Sequence, residues 1–129
     1  MQENKFSSIW LRLSTLYSRA RIETLMNEKI FDIRELLSKM DLDNSDFLNF
    51  FDLRHLQAGI LRLKPGETDT QEPHSSDEVY LVLEGNGFIE IGKKGYSIKK
   101  DLFIYVPANL THRFYGNTQE ILVVYFFSD

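Results

Sequence analysis

Beyond residue 46 the chain reads as short apolar runs separated by turn residues, a pattern that builds strands and leaves no room for a long helix. Residues 47–53 and 56–63 flank Arg54-His55, and Pro65-Gly66 marks a turn. Gly85-Asn86 and Gly92-Lys93-Lys94-Gly95 signal hairpins joining residues 78–84, 88–91 and 96–98. Runs at 102–106, 111–115 and 121–127 complete the set. The prolines stand beside turns, never inside an apolar run. Short strands at regular spacing predict an all-β sandwich or barrel.

One stretch carries chemistry. In Pro73-His74-Ser75-Ser76-Asp77-Glu78-Val79-Tyr80-Leu81-Val82-Leu83-Glu84-Gly85, a histidine precedes a carboxylate that opens an apolar run. The two-residue period puts Glu78, Tyr80 and Val82 on one face and Val79, Leu81 and Leu83 on the other. A carboxylate on so apolar a face is costly to bury unless something pairs with it. His112 is the distant partner. Two imidazoles and one carboxylate converging from separate strands make a metal site of the facial-triad kind.

These residues carry a family resemblance. The spacing from His74 through Glu78 to Gly85 resembles the first motif of the cupin superfamily: His-x-His, three or four residues, Glu, six residues, Gly. Pro107-Ala108-Asn109-Leu110-Thr111-His112 resembles its second motif, Pro-x-Gly, two residues, His. There are departures. Glu72 stands at the first histidine position, Asn109 replaces a glycine, and Asp101 replaces the glycine usual six residues before the proline. The likeness covers roughly residues 56–128, and Asp69-x-Gln71-x-Pro73-His74-x-x-Asp77-Glu78 is similar to one group of small single-domain cupins.

The resemblance selects the small jelly roll as the fold and implies a divalent transition metal (iron, manganese or zinc) on His74, Glu78 and His112. Glu72 is expected as a fourth ligand, with Gln71 as the alternative should Pro73 kink the strand. Tyr80 and Phe114 share faces with Glu78 and His112, and are expected to line the pocket beside the ion. The implied activity is an oxygenase of a small organic molecule. A metal-assisted isomerase or lyase, and a non-catalytic module that binds a small ligand, stay open.

The 129 residues, 43% of them hydrophobic, suffice for one domain with one core. Fifteen basic against 19 acidic residues give a net charge of -4, which supplies no attraction for nucleic acid. No run approaches the ~20 apolar residues of a membrane span. The absence of cysteine suits a reducing compartment, so a cytoplasmic protein is expected, and a homodimer is allowed.

Residues 1–30 are read as a helical extension and 31–129 as the barrel domain. Within the extension Ile9, Trp10, Leu13, Leu16, Tyr17 and Ala20 recur at helical spacing among Arg12, Arg19 and Arg21. Three readings stay open for residues 1–25: a packed amphipathic helix, an organellar targeting segment, or a stretch upstream of a true start at Met26. Residues 31–40 predict a strand start and then a helix capped by Asp32, with Glu35 three residues on and Ile33, Leu36, Leu37 and Met40 as its buried stripe. Asp41 to Asp46 lacks the glycine and glutamate of a calcium loop and reads as an acidic connector.

Overall fold

The computed structural model describes residues 28–128, so the expectations for residues 1–25 lie outside the described residues. Helix α1 (Ile33–Leu42) is followed by strands β1 (Phe47–Leu53), β2 (Leu56–Leu63), β3 (Asp77–Glu84), β4 (Asn86–Ile91), β5 (Lys94–Lys99), β6 (Phe103–Val106), β7 (His112–Tyr115) and β8 (Ile121–Ser128). The strands form a five-stranded antiparallel sheet of order β1-β2-β8-β3-β6 and a three-stranded antiparallel sheet of order β5-β4-β7. This is the all-β architecture the strand pattern predicts, in the jelly-roll form that the resemblance selects.

Alternation along each strand builds two cores. Tyr80, Val82, Val123, Tyr125 and Phe127 point between the sheets and meet Ile89, Ile98 and Phe114 from the smaller one. On the outer face of the large sheet, Ile60, Leu81, Leu83, Leu122 and Val124 are covered by Ile33, Leu36, Leu37 and Met40 of α1. Burial of such side chains stabilises by ~25 cal/mol per Å² of apolar surface, and this is why α1 lies where it does. Asp32 caps the helix, its Oδ1 accepting from Arg34 N at 2.8 Å. The expected strand start at residue 31 is absent. Phe31 instead precedes the helix and packs against Phe50 and Phe51, its ring centroid 5.0 and 6.2 Å from theirs.

Gly85-Asn86 is not a hairpin turn. β3 and β4 lie in different sheets, and Gly85 (φ 101°) and Gly87 (φ 130°) bend the chain from one to the other. A side chain at Gly85 would collide with Glu120 O, so the corner also needs the bare backbone. Gly92-Lys93 does form a tight turn, with Ile91 opposite Lys94, so β5 starts two residues earlier than residue 96.

The two replaced glycines keep the glycine conformation. Asp101 (φ 72°) and Asn109 (φ 67°) both sit in the left-handed region, which Asp and Asn tolerate better than other side chains. Asn109→Gly is expected to leave stability unchanged, and Asn109→Ala to cost about 1 kcal/mol, read from urea midpoints.

Candidate metal centre

Three side chains meet inside the barrel, each delivered by a different piece of chain. Glu78 is the second residue of β3, on the inner face, and is wholly buried. His112 opens β7 opposite Ile91 of β4. His74 comes from the loop before β3, its ring edge-on to Phe127 at 4.4 Å. Glu78 Oε1 lies 3.1 Å from His112 Nε2, and Glu78 Oε2 lies 3.5 Å from His74 Nε2.

Hydrogen bonds behind the histidines decide what this cluster can hold. His74 Nδ1 donates to Ser76 O and His112 Nδ1 donates to Leu110 O, each at 2.9 Å. A carbonyl oxygen only accepts, so both Nδ1 atoms carry the proton and a neutral ring leaves its Nε2 as a bare acceptor. Both Nε2 atoms and both Glu78 oxygens are buried without a hydrogen-bond partner. Four acceptors that face one another with no donor between them fit a cation. His74, Glu78 and His112 can each offer one ligand atom within 4.8 Å of the others. The donor set suits a divalent transition metal, whose identity the three residues leave open.

Charge in the ion-free site follows from the same contacts. Burial alone pushes the Glu78 carboxyl up, but His112, His74 and Tyr80 beside it together hold it below the usual carboxylate range. Burial alone pushes His112 down, and the Glu78 contact, the Leu110 carbonyl and the charges of Glu78 and Asp69 raise it above the usual imidazole value. Proton and ion thus compete for the same His112 Nε2, where the neighbouring charges favour protonation more than they do for an ordinary imidazole.

The remaining expected residues distribute as follows. Glu72 is exposed and outside the three-residue group. Gln71 is half-buried, and its Oε1 accepts from Tyr80 Oη at 2.8 Å while its Nε2 donates to Asp69 Oδ2 at 2.9 Å. Glu72→Ala is expected to change metal affinity less than about twofold, well short of the 10–100-fold that supporting residues are worth. A tenfold loss by calorimetry would bring Glu72 to the ion. Tyr80 and Phe114 pack ring to ring at 5.0 Å, and Tyr80 lies 6.1 Å from the His112 ring. Both are fully buried. Burial, and then the Glu78 charge, push the Tyr80 hydroxyl well above its usual value. A separate cleft of about 720 Å³ opens between the edges of β5 and β6, lined by Ile98, Leu102, Ile104 and Tyr105 with Lys93 and Lys94, and none of the three ligands lines it.

Two carboxylates outside the triad were not singled out from the sequence for the work they do. Asp69 accepts from Phe114 N at 2.8 Å and fastens the His74 loop to β7. Asp77 Oδ1 accepts from Ala108 N at 3.0 Å and Tyr105 Oη at 3.1 Å, fastening the loop before His112 to β3. Asn109 N adds a bond to His74 O at 2.8 Å. The only sequence signal for either is its place in the Asp69-to-Glu78 run.

Residues 59–128 match the family model described as a cupin domain. An uncharacterized protein of Streptomyces coelicolor is 32% identical over 100 residues, 78% of this chain and 95% of the relative. The dimethylsulfoniopropionate lyase DddW of Ruegeria pomeroyi is 30% identical over 59 residues, 46% of this chain but only 39% of the lyase. Among solved structures, the plu4264 protein of Photorhabdus luminescens superposes with a TM-score of 0.60 at 16% identity, over 81% of this chain and 89% of that one, a likeness of fold.

Proposed function

The chain belongs to the cupin family, and from that membership we propose that it is a metal-dependent oxygenase of a small organic molecule, with a divalent ion on His74, Glu78 and His112. The observation that carries this reading is the set of four buried acceptor atoms with no donor among them. Two histidines and one carboxylate are the ligand set of non-heme iron oxygenases. Such an ion, when bound, supplies Lewis acidity and open positions for oxygen and substrate. The protein's own contribution is to hold the ligands rigid and dry. Ser76 O and Leu110 O orient the imidazoles, and Tyr80, Phe114 and Phe127 exclude water around them. With Glu72 outside the group, Glu78 alone offsets the ion, and the net charge of plus one favours an anionic oxygen ligand.

A second reading, a metal-assisted lyase or isomerase, is favoured by the similarity to the DddW lyase and by the Tyr80 hydroxyl beside Glu78, a proton carrier within the centre. Metal analysis of anaerobically purified protein, followed by screening of small carboxylates with and without oxygen, separates the two. Turnover that consumes oxygen supports the oxygenase. Equal turnover without oxygen replaces it with the lyase or isomerase, and protein that takes up no ion overturns both.

A further inference from the structure

The bulge in β1 creates a second polar group on the inner wall, away from the metal ligands. Asn49 and Asp52 are three residues apart, which in an unbroken strand would put them on opposite faces. Here Asn49 stands opposite Gly59 and Phe51 opposite Ala58, so Phe50 is the extra residue. Phe50 and Phe51 both turn outward against Phe31, and Asn49 and Asp52 are left together on the inner face.

Two hydrogen bonds define the group. Asn49 Nδ2 donates to Asp52 Oδ2 at 3.0 Å, and Tyr125 Oη donates to Asn49 Oδ1 at 3.2 Å. Asp52 Oδ1 is buried and has no hydrogen-bond partner. None of the ion pairs among the described residues includes Asp52. Burial pushes its carboxyl up to about 6 against the Asn49 hydrogen bond, which still leaves it mostly charged at neutral pH. An acceptor in this state is stabilised by any donor or cation brought to it.

Its position relates it to the metal centre. Asp52 lies opposite Gln57, Gln57 opposite Phe127, and Phe127 opposite Glu78, so Asp52 begins the cross-strand row of the inner face that holds Glu78 and ends at Val106. Three strand spacings separate the two backbones by about 14 Å. Asn49, Asp52 and Gln57 are all half-buried, so this end of the row is partly open to solvent.

We infer that Asp52, held by Asn49, is a specificity-determining residue that receives the protonated amine of a ligand whose carboxylate meets the metal group. The ligand class is an aliphatic amino acid with several carbons between its two charges. The inference rests on the metal-site reading above: an ion offset by Glu78 alone leaves a positive pole, and Asp52 supplies a negative pole where the row begins.

The test is calorimetric titration of manganese-loaded protein with 6-aminohexanoate and with hexanoate, which differ only in the amine. The amino acid is expected to bind at least tenfold more tightly. Asp52→Asn keeps the shape and removes the charge, so it should abolish that preference while leaving metal content and hexanoate affinity unchanged. Equal affinities in the wild type, which needs no variant to fold, would overturn the role of Asp52. So would a preference retained in Asp52→Asn. If neither acid binds protein that has kept its manganese, the two-pole ligand is wrong and the metal site stands. Protein that fails to take up manganese counts against the metal reading itself.

Discussion

One divalent ion per chain is expected to raise the melting temperature of metal-free protein by about 15 °C, and His112→Ala to abolish the rise. With free ion at about a thousand times its dissociation constant, linkage supplies about 4 kcal/mol, and a domain of this size gains about 4 °C per kcal/mol. His112→Ala removes a ligand held at 3.1 Å from Glu78 and leaves that carboxylate buried with one imidazole. Scanning calorimetry with and without manganese or zinc reads both effects. Undiminished stabilisation of the variant would remove His112 from the site.

The same experiment has a signed pH dependence. In metal-free protein the His112 value lies above its ordinary 6.5. Its contribution to stability is therefore fully present below that ordinary value and lost as pH rises through the raised one. An ion needs the free Nε2, so its affinity changes in the opposite sense and falls as pH drops through the same range. The metal-induced increment should therefore be larger at pH 8.5 than at pH 6. Glu78, held below 4.5, stays charged throughout this window and adds no slope.

The second large effect is expected far from the ligands. Gly59→Ala should destabilise the fold by about 3 kcal/mol, the upper end of ordinary overpacking, because the new methyl meets two neighbours at once. One is Leu48 O on the adjacent strand, 2.6 Å away, and the other is the buried ring and hydroxyl of Tyr125. Moving Tyr125 would also break its bond to Asn49. Tyr125→Phe deletes the hydroxyl, so the double variant should lose less than the sum of the singles in urea denaturation. Strict additivity would place the strain at Leu48 instead.

What the sequence makes legible follows from which signals are local. Glu78 faces inward because a two-residue period runs unbroken through Tyr80 and Val82, and the structure buries all three. The stripe of Ile33, Leu36, Leu37 and Met40 was readable because a helix repeats its face every three or four residues. By contrast, a Gly-Asn pair serves a hairpin and a sheet-to-sheet corner equally well. Only the long-range pairing of β3 with β8 and of β4 with β7 tells them apart. Asp52 was invisible as an inward residue because one bulge reverses the alternation, and nothing in Asn49-Phe50-Phe51-Asp52 announces the extra residue. Glu72 illustrates the limit of spacing beside Pro73. A shared face on an ideal strand counts for little where the chain has not yet entered β3, which begins at Asp77.

The ties between the two ligand-bearing loops also bear on how fast the protein comes apart. His74 and His112 are 38 residues apart in sequence, and they are joined through Asn109 N to His74 O and Ala108 N to Asp77 Oδ1. Both ties span a long sequence separation, so the ion pocket is expected to be completed on the native side of the folding barrier. An ion bound there is then expected not to hasten assembly. It should act as a latch, slowing the unfolding limb of the chevron in proportion to occupancy while the refolding limb stays where it was. The metal-loaded protein should therefore outlast the metal-free one under proteolysis or heating by a margin set by escape from the native state.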